Sequence, residues 1–84
     1  MVGGLEVVPN PFDDYFSVII AAGKAEGNSR IEVLNLEGKT MWQDQLELGR
    51  GKQSLEVKAQ LASGIYLLRL TSKTEVRTQK IIKR

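Results

Sequence analysis

The sequence is 84 residues long, carries a net charge of +2 and contains neither cysteine nor histidine. That length holds one domain, and the two missing residue types remove disulfides, thiolate nucleophiles, zinc fingers, Ser-His-Asp triads and imidazole metal sites. So small a charge does not mark a nucleic-acid binder, and the longest apolar stretch, Phe16–Ala22, falls far short of the roughly 18 residues that span a bilayer.

Met1-Val2-Gly3-Gly4 lacks the charged n-region and apolar h-region of a signal peptide. It reads as linker or cloning residues ahead of a domain over 5–84, so an export signal would have to come from a larger parent chain. Pro9-Asn10-Pro11 breaks the first segment, because neither proline has an N–H and Asn10 is held extended by the proline after it. Phe16, Val18 and Ile20 then alternate with Ser17 and Ile19, and a polar loop is predicted over Gly23–Ser29. Ile31 and Val33 alternate with Arg30 and Glu32 as far as Leu36, and Glu37-Gly38 makes a tight turn into Lys39–Leu48.

Turns follow at Gly49–Lys52, Ala62-Ser63-Gly64 and Ser72-Lys73-Thr74, the last a hairpin turn. Between them Leu55 and Val57 share one phase, as do Tyr66, Leu68 and Leu70. In the final segment Val76, Thr78, Lys80 and Ile82 share one face, with Glu75, Arg77 and Gln79 on the other. Period-2 spacing is nearly universal, and no window keeps the spacing of an amphipathic helix. The prediction is an all-β fold, a small immunoglobulin-like antiparallel β-sandwich of about seven strands. One register stays open: either Trp42 points inward, or a bulge switches faces along Lys39–Leu48.

Charge is unevenly spread. Lys73, Arg77, Lys80, Lys83 and Arg84 face only Glu75 in the last twelve residues, giving +4, while the preceding part carries −2. The tail is either a contact for an anionic partner or an edge strand kept soluble by its cations. Asp13-Asp14, the one adjacent acid pair, could offer oxygens to calcium but lacks local companions, and a turn entering Phe16–Ile20 accounts for it. Paired carboxylates could run glycosidic chemistry, yet these acids sit on polar strand phases or in loops, and the chain is read as no enzyme. Among the five aromatics, Phe12, Tyr15, Phe16, Trp42 and Tyr66, only Tyr15 and Trp42 could form a sugar-stacking platform; Phe16 and Tyr66 lie on apolar phases and belong to the core.

Four phrases then line up in order: Val8-Pro9-Asn10-Pro11-Phe12, Val33 to Lys39 (VLNLEGK), Leu61 to Leu70 (LASGIYLLRL), and Lys80-Ile81-Ile82-Lys83 before Arg84. Together they resemble the type A C-terminal sorting domain of the type IX (Por) secretion system of Bacteroidota, over about Leu5 to Arg84. The resemblance implies a secretion signal domain at the end of a larger exported protein. Its partners would be the outer-membrane translocon that reads it, the sortase-like peptidase that removes it, and the cargo covalently attached on its N-terminal side. It implies passage through the periplasm, then delivery to the outer membrane and cell surface or to the medium. It implies no cofactor, no metal, no nucleic acid and no catalytic residue.

Carried over by position, Pro9, Asn10 and Pro11 match the opening motif that fixes how the first strand leaves the linker. Gly38 matches a turn glycine needing positive φ, and Gly64 with Tyr66 match a turn position and a buried anchor whose hydroxyl finds a backbone partner. Lys80, Ile81, Ile82, Lys83 and Arg84 cover the terminal motif, the expected translocon-recognition element. The expected mode is β-augmentation on an exposed terminal strand, with the basic side chains selecting an acidic groove. The same open edge would allow self-association. Deleting Gln79–Arg84 is expected to abolish export and leave a folded core. The alternative is a carbohydrate-binding or adhesive β-sandwich appended to an extracellular enzyme, with Trp42 and Tyr15 exposed side by side.

Overall fold

The structure, a computed structural model, describes residues 5–20, 27–49, 53–73 and 75–84. Seven strands run through them: β1 (Leu5–Val8), β2 (Phe16–Ile20), β3 (Gly27–Leu34), β4 (Thr40–Leu48), β5 (Gln53–Val57), β6 (Gly64–Thr71) and β7 (Val76–Lys83). They form a three-stranded sheet in the order β1-β2-β5 and a four-stranded sheet in the order β4-β3-β6-β7. Every pairing within the sheets is antiparallel. The chain changes sheet at β2 to β3, β4 to β5 and β5 to β6, the immunoglobulin-like arrangement that the strand count and spacing call for.

The core comes from one phase of each strand. Leu5 and Val7 of β1, Phe16, Val18 and Ile20 of β2, and Val57 of β5 are buried against Ile31 and Val33 of β3, Tyr66, Leu68 and Leu70 of β6, and Ile81 of β7. Each fully buried side chain of this size contributes about 1.5–3 kcal/mol relative to exposure, so a short chain needs most of its strands to supply one. Phe12, from the irregular segment ahead of β2, is also buried, its ring 4.6 Å from that of Phe16 and tilted by 57°.

One sequence expectation is revised, and two points the sequence left open are settled. Residues 27–29 are strand rather than loop: they pair with Leu46–Leu48 of β4, and Ser29 points inward and is buried. A polar Ser29 on the inward phase hides the strand from a hydrophobicity pattern. Its hydroxyl is satisfied by the Gly27 carbonyl, 3.3 Å away. Residues 23–26 of that predicted loop, like residues 1–4, 50–52 and Thr74, lie outside the described residues.

The Trp42 question resolves as both alternatives at once. Val33 pairs with Trp42 but Leu34 pairs with Thr40, so a bulge leaves Met41 without an opposite number. Trp42 and Leu46 then share the inward phase and pack half-buried on the core, with Leu48 buried beyond them.

In β7 the two faces divide as the pattern indicates, but the core takes the less apolar one. Ile81 is fully buried while Val76 is 59% exposed. Tyr66 and Ile81 are opposite each other, so the inward phase of β6 fixes that of β7 whatever the polarity of Arg77 and Gln79. Arg77 is accordingly drawn into the sandwich margin, where it pairs with Glu75.

Candidate functional site

The opening and terminal motifs meet in space. With no N–H on Pro9 or Pro11, their segment offers the outer edge of β7 the Asn10 side chain and the Phe12 backbone. The Asn10 Oδ1 accepts the Ile82 amide at 2.9 Å, and its Nδ2 donates to the Lys80 carbonyl at 3.1 Å. Phe12 donates its amide to the Ile82 carbonyl at 2.9 Å and accepts the Arg84 amide at 3.0 Å, a parallel bridge to the end of the strand. Both the Val8-Pro9 and Asn10-Pro11 bonds are cis. The buried Phe12 ring beneath these bonds anchors the segment, and Arg84 reaches Asp13 at 3.8 Å on its surface side.

An open terminal edge is therefore not what the fold provides. Over Lys80–Arg84 the outward backbone groups are taken by Asn10 and Phe12, so β-augmentation is not available there. Outward-pointing groups further back, on Val76 and Thr78 by the alternation of the ladder, are not covered by this segment. What Lys80, Ile82, Lys83 and Arg84 present is side chain: Lys80 and Arg84 are exposed, Ile82 and Lys83 half-buried. Ile81 presents nothing, being wholly inside the core.

The other motif positions are local structure-makers. Gly38 has φ +90° in the turn between β3 and β4, where the Asn35 carboxamide oxygen accepts the Glu37 and Lys39 amides at 3.0 and 2.9 Å. Gly64, with φ +155°, begins β6. Tyr66 is buried, and its hydroxyl donates to the Ala62 carbonyl at 2.6 Å, tying the turn to the strand that follows.

On the solvent side of the four-stranded sheet lies a residue that sequence reading places simply on a polar phase. Glu32 of β3 is only 4% exposed. Arg69 of β6 donates to its Oε1 at 3.1 Å through Nη2, Arg30 approaches the same oxygen at 3.3 Å, and Thr40 of β4 donates to Oε2 at 3.1 Å. Burial alone would raise the Glu32 pKa; the hydrogen bonds from Arg69 and Thr40 and the charges of Arg69 and Arg30 outweigh it and hold the carboxyl below its ordinary value. Arg30 and Arg69, 39 positions apart in sequence, gave no local signal of this cluster.

A groove of about 1080 Å³ opens beside the end of β7, lined among others by Asp13, Asp14, Tyr15, Glu56, Lys58 and Lys83. Its acids and cations are mixed. Trp42 is not part of its lining, and its ring rests on the core at the β4 margin while Tyr15 is half exposed in the groove.

The family model for the secretion system C-terminal sorting domain matches residues 6–84. The chain belongs to that family. No curated protein matches it. As a type IX sorting domain it is a secretion signal, belonging to a family without catalytic function, and it directs export to the cell surface or medium through the type IX machinery. The sugar-binding alternative is not favoured: its platform would need Trp42 exposed, whereas Trp42 packs against the core.

Proposed function

We propose that this sorting domain works as a folded address whose readable part is the side chains at the end of β7, Lys80, Ile82 and Lys83, with Arg84 just beyond it. The reader is the outer-membrane translocon, met from the periplasm. The cargo is a larger protein attached on the N-terminal side of residue 5, and a sortase-like peptidase separates the two after passage. The observation that supports this reading is the clasp of Asn10 and Phe12 on β7: it ties the opening motif to the terminal motif and holds the basic side chains on an ordered strand. Ile81 serves the same surface from below, as the core anchor of that strand.

The test is a fluorescent reporter carrying an inner-membrane export signal and Leu5–Arg84, expressed in a Bacteroidota strain with a working type IX system. Delivery to the surface or medium is expected, and periplasmic retention while native cargo is exported would overturn the reading. Point substitutions at Lys80 and Lys83 are better probes than deletion of Gln79–Arg84. The deletion would also remove the fully buried Ile81 and more than half of β7, so lost export would report unfolding as readily as lost recognition.

A further inference from the structure

The solvent face of the four-stranded sheet is divided across its length. Toward the β6–β7 hairpin it is mainly polar, built from the Glu32–Arg69–Arg30 cluster together with Thr71 and Thr78, with the exposed Val76 standing among them. Toward the end of β7 it is apolar. Tyr66, Leu68 and Leu70 take the inward phase of β6, which turns Ile65 and Leu67 outward. Ile65 is directly opposite Ile82, Leu67 directly opposite Lys80, and Leu34 of β3 directly opposite Leu67. Opposed residues on one face have Cβ atoms about 5 Å apart, so these side chains form one patch. Ile65 is 44% exposed at its open end, and Leu34, only 5% exposed, closes it on the β3 side. Lys80 stands beside it, exposed and without an ion pair among the described residues.

We infer that this patch, centred on the Ile65–Ile82 pair with Lys80 on its border, is the docking surface for the export machinery, and that the partner surface is apolar with carboxylates at its rim. The inference rests on the sorting reading and specifies which face is read and how. Charge selects the occupant. Arg69 and Arg30 share the one carboxylate of Glu32 and Arg84 is paired with Asp13, so the charge left to complement on this face is positive, on Lys80 and in the surplus of the arginine pair. A second copy of this chain would bring a like patch and a like lysine, placing cations against cations across a two-fold contact. An unlike partner with acidic groups around an apolar centre meets both demands, since apolar area supplies affinity and opposite rim charge supplies selection and encounter rate. The phrases that carry Ile65, Leu67, Lys80 and Ile82 thereby acquire a common purpose: their outward residues meet on one face.

The experiment uses the same reporter fusion, intact, with four substitutions: Ile65→Glu, Lys80→Glu, Ile65→Ala, and Val76→Glu as a control. Val76 is an exposed residue on the same strand and face but at the far end. Melting of the purified fusions reports folding. Ile65→Glu and Lys80→Glu are expected to lower surface delivery at least tenfold, with periplasmic accumulation and an unchanged melting temperature. Ile65→Ala should give a smaller loss, and Val76→Glu should export normally. Wild-type delivery by both Ile65→Glu and Lys80→Glu overturns the inference and leaves the sorting reading standing. So does an equal loss in Val76→Glu, which would make any added acid sufficient. Retention of the unsubstituted fusion overturns the sorting reading itself. Should Ile65→Glu lower the melting temperature, Lys80→Glu and Ile65→Ala decide, because the first only reverses a charge already at the border and the second adds none.

Discussion

The four-stranded sheet has two outer edges, and the chain protects them in different ways. Along β4 the guards are single side chains from nearby in sequence: Asp44 accepts the Gln45 amide at 2.8 Å, and Gln53 reaches the Glu47 carbonyl at 3.3 Å and the Gly49 amide at 2.8 Å. Along β7 the guard is a separate segment from the other end of the sequence, holding four backbone groups and anchored by a buried ring. Local guards suffice to discourage strand addition. A remote clasp does more, because it fixes where the last strand lies relative to the rest of the fold. The edge that bears the terminal motif is the one held this way.

The largest break in that comparison should come from Phe12→Ala, which empties a fully buried ring site under the clasp. A loss of about 3–5 kcal/mol is expected, measured by urea unfolding, and a loss below 1 kcal/mol would mean the clasp is not anchored by that ring. Glu32 tests the interior link between the edges, since it joins Thr40 of β4 to Arg69 of β6. Glu32→Gln should cost about 1–3 kcal/mol near neutral pH. Because the folded carboxyl lies below its ordinary value of 4.5, its contribution is complete above that pH and is lost as pH falls through the lower folded value. The substituted protein should therefore show a flatter acid limb in melts taken across that range, and parallel limbs would refute the assignment.

Smaller effects separate the two guards themselves. Asn10→Ala should cost about 1 kcal/mol, the net value of exposed hydrogen bonds, and Gln53→Ala less than that. Equal costs in chemical denaturation would erase the distinction between a remote clasp and a local guard. Smallest of all in energy, but the most direct, is amide exchange. The Ile82 and Arg84 amides should be protected and that of Thr78 should exchange quickly, with Asn10→Ala releasing Ile82 while leaving Leu68 slow.

Much of this was legible in the residues. Alternation located the strands because a half-buried sheet imposes a period of two, and Phe16, Val18, Ile31, Val33, Leu68 and Leu70 all fall on the inward phase they advertise. Glu37-Gly38 announced its turn, since a positive-φ glycine acts within a few positions, but the strand before it stops at Leu34 rather than Leu36, because the Asn35 side chain takes the Glu37 and Lys39 amides. Beyond local reach the pattern misled. The most apolar face of β7 is not its inward face, because pairing with β6 decided the phase. Glu32 looked like an ordinary solvent-facing acid, and its partners come from three strands. Asn10 looked like a chain breaker between prolines; that its side chain substitutes for a neighbouring strand depends on a contact 72 positions away. The covered edge, which removes β-augmentation at the terminal motif, follows from the remote contacts of Asn10 and Phe12.

The clasp also has a consequence in time. A chain emerging in order presents Asn10 and Phe12 long before Lys80, Ile82 and Arg84 arrive to receive them, so this closure waits for β7. Until then the first sheet lacks Ile81 against it, the Phe12 ring has no strand to roof it, and the apolar patch lacks Ile82. A product cut short anywhere upstream of β7 cannot assemble the surface, however well its earlier strands pair. Arrival of β7 and display of the address are in this way a single event.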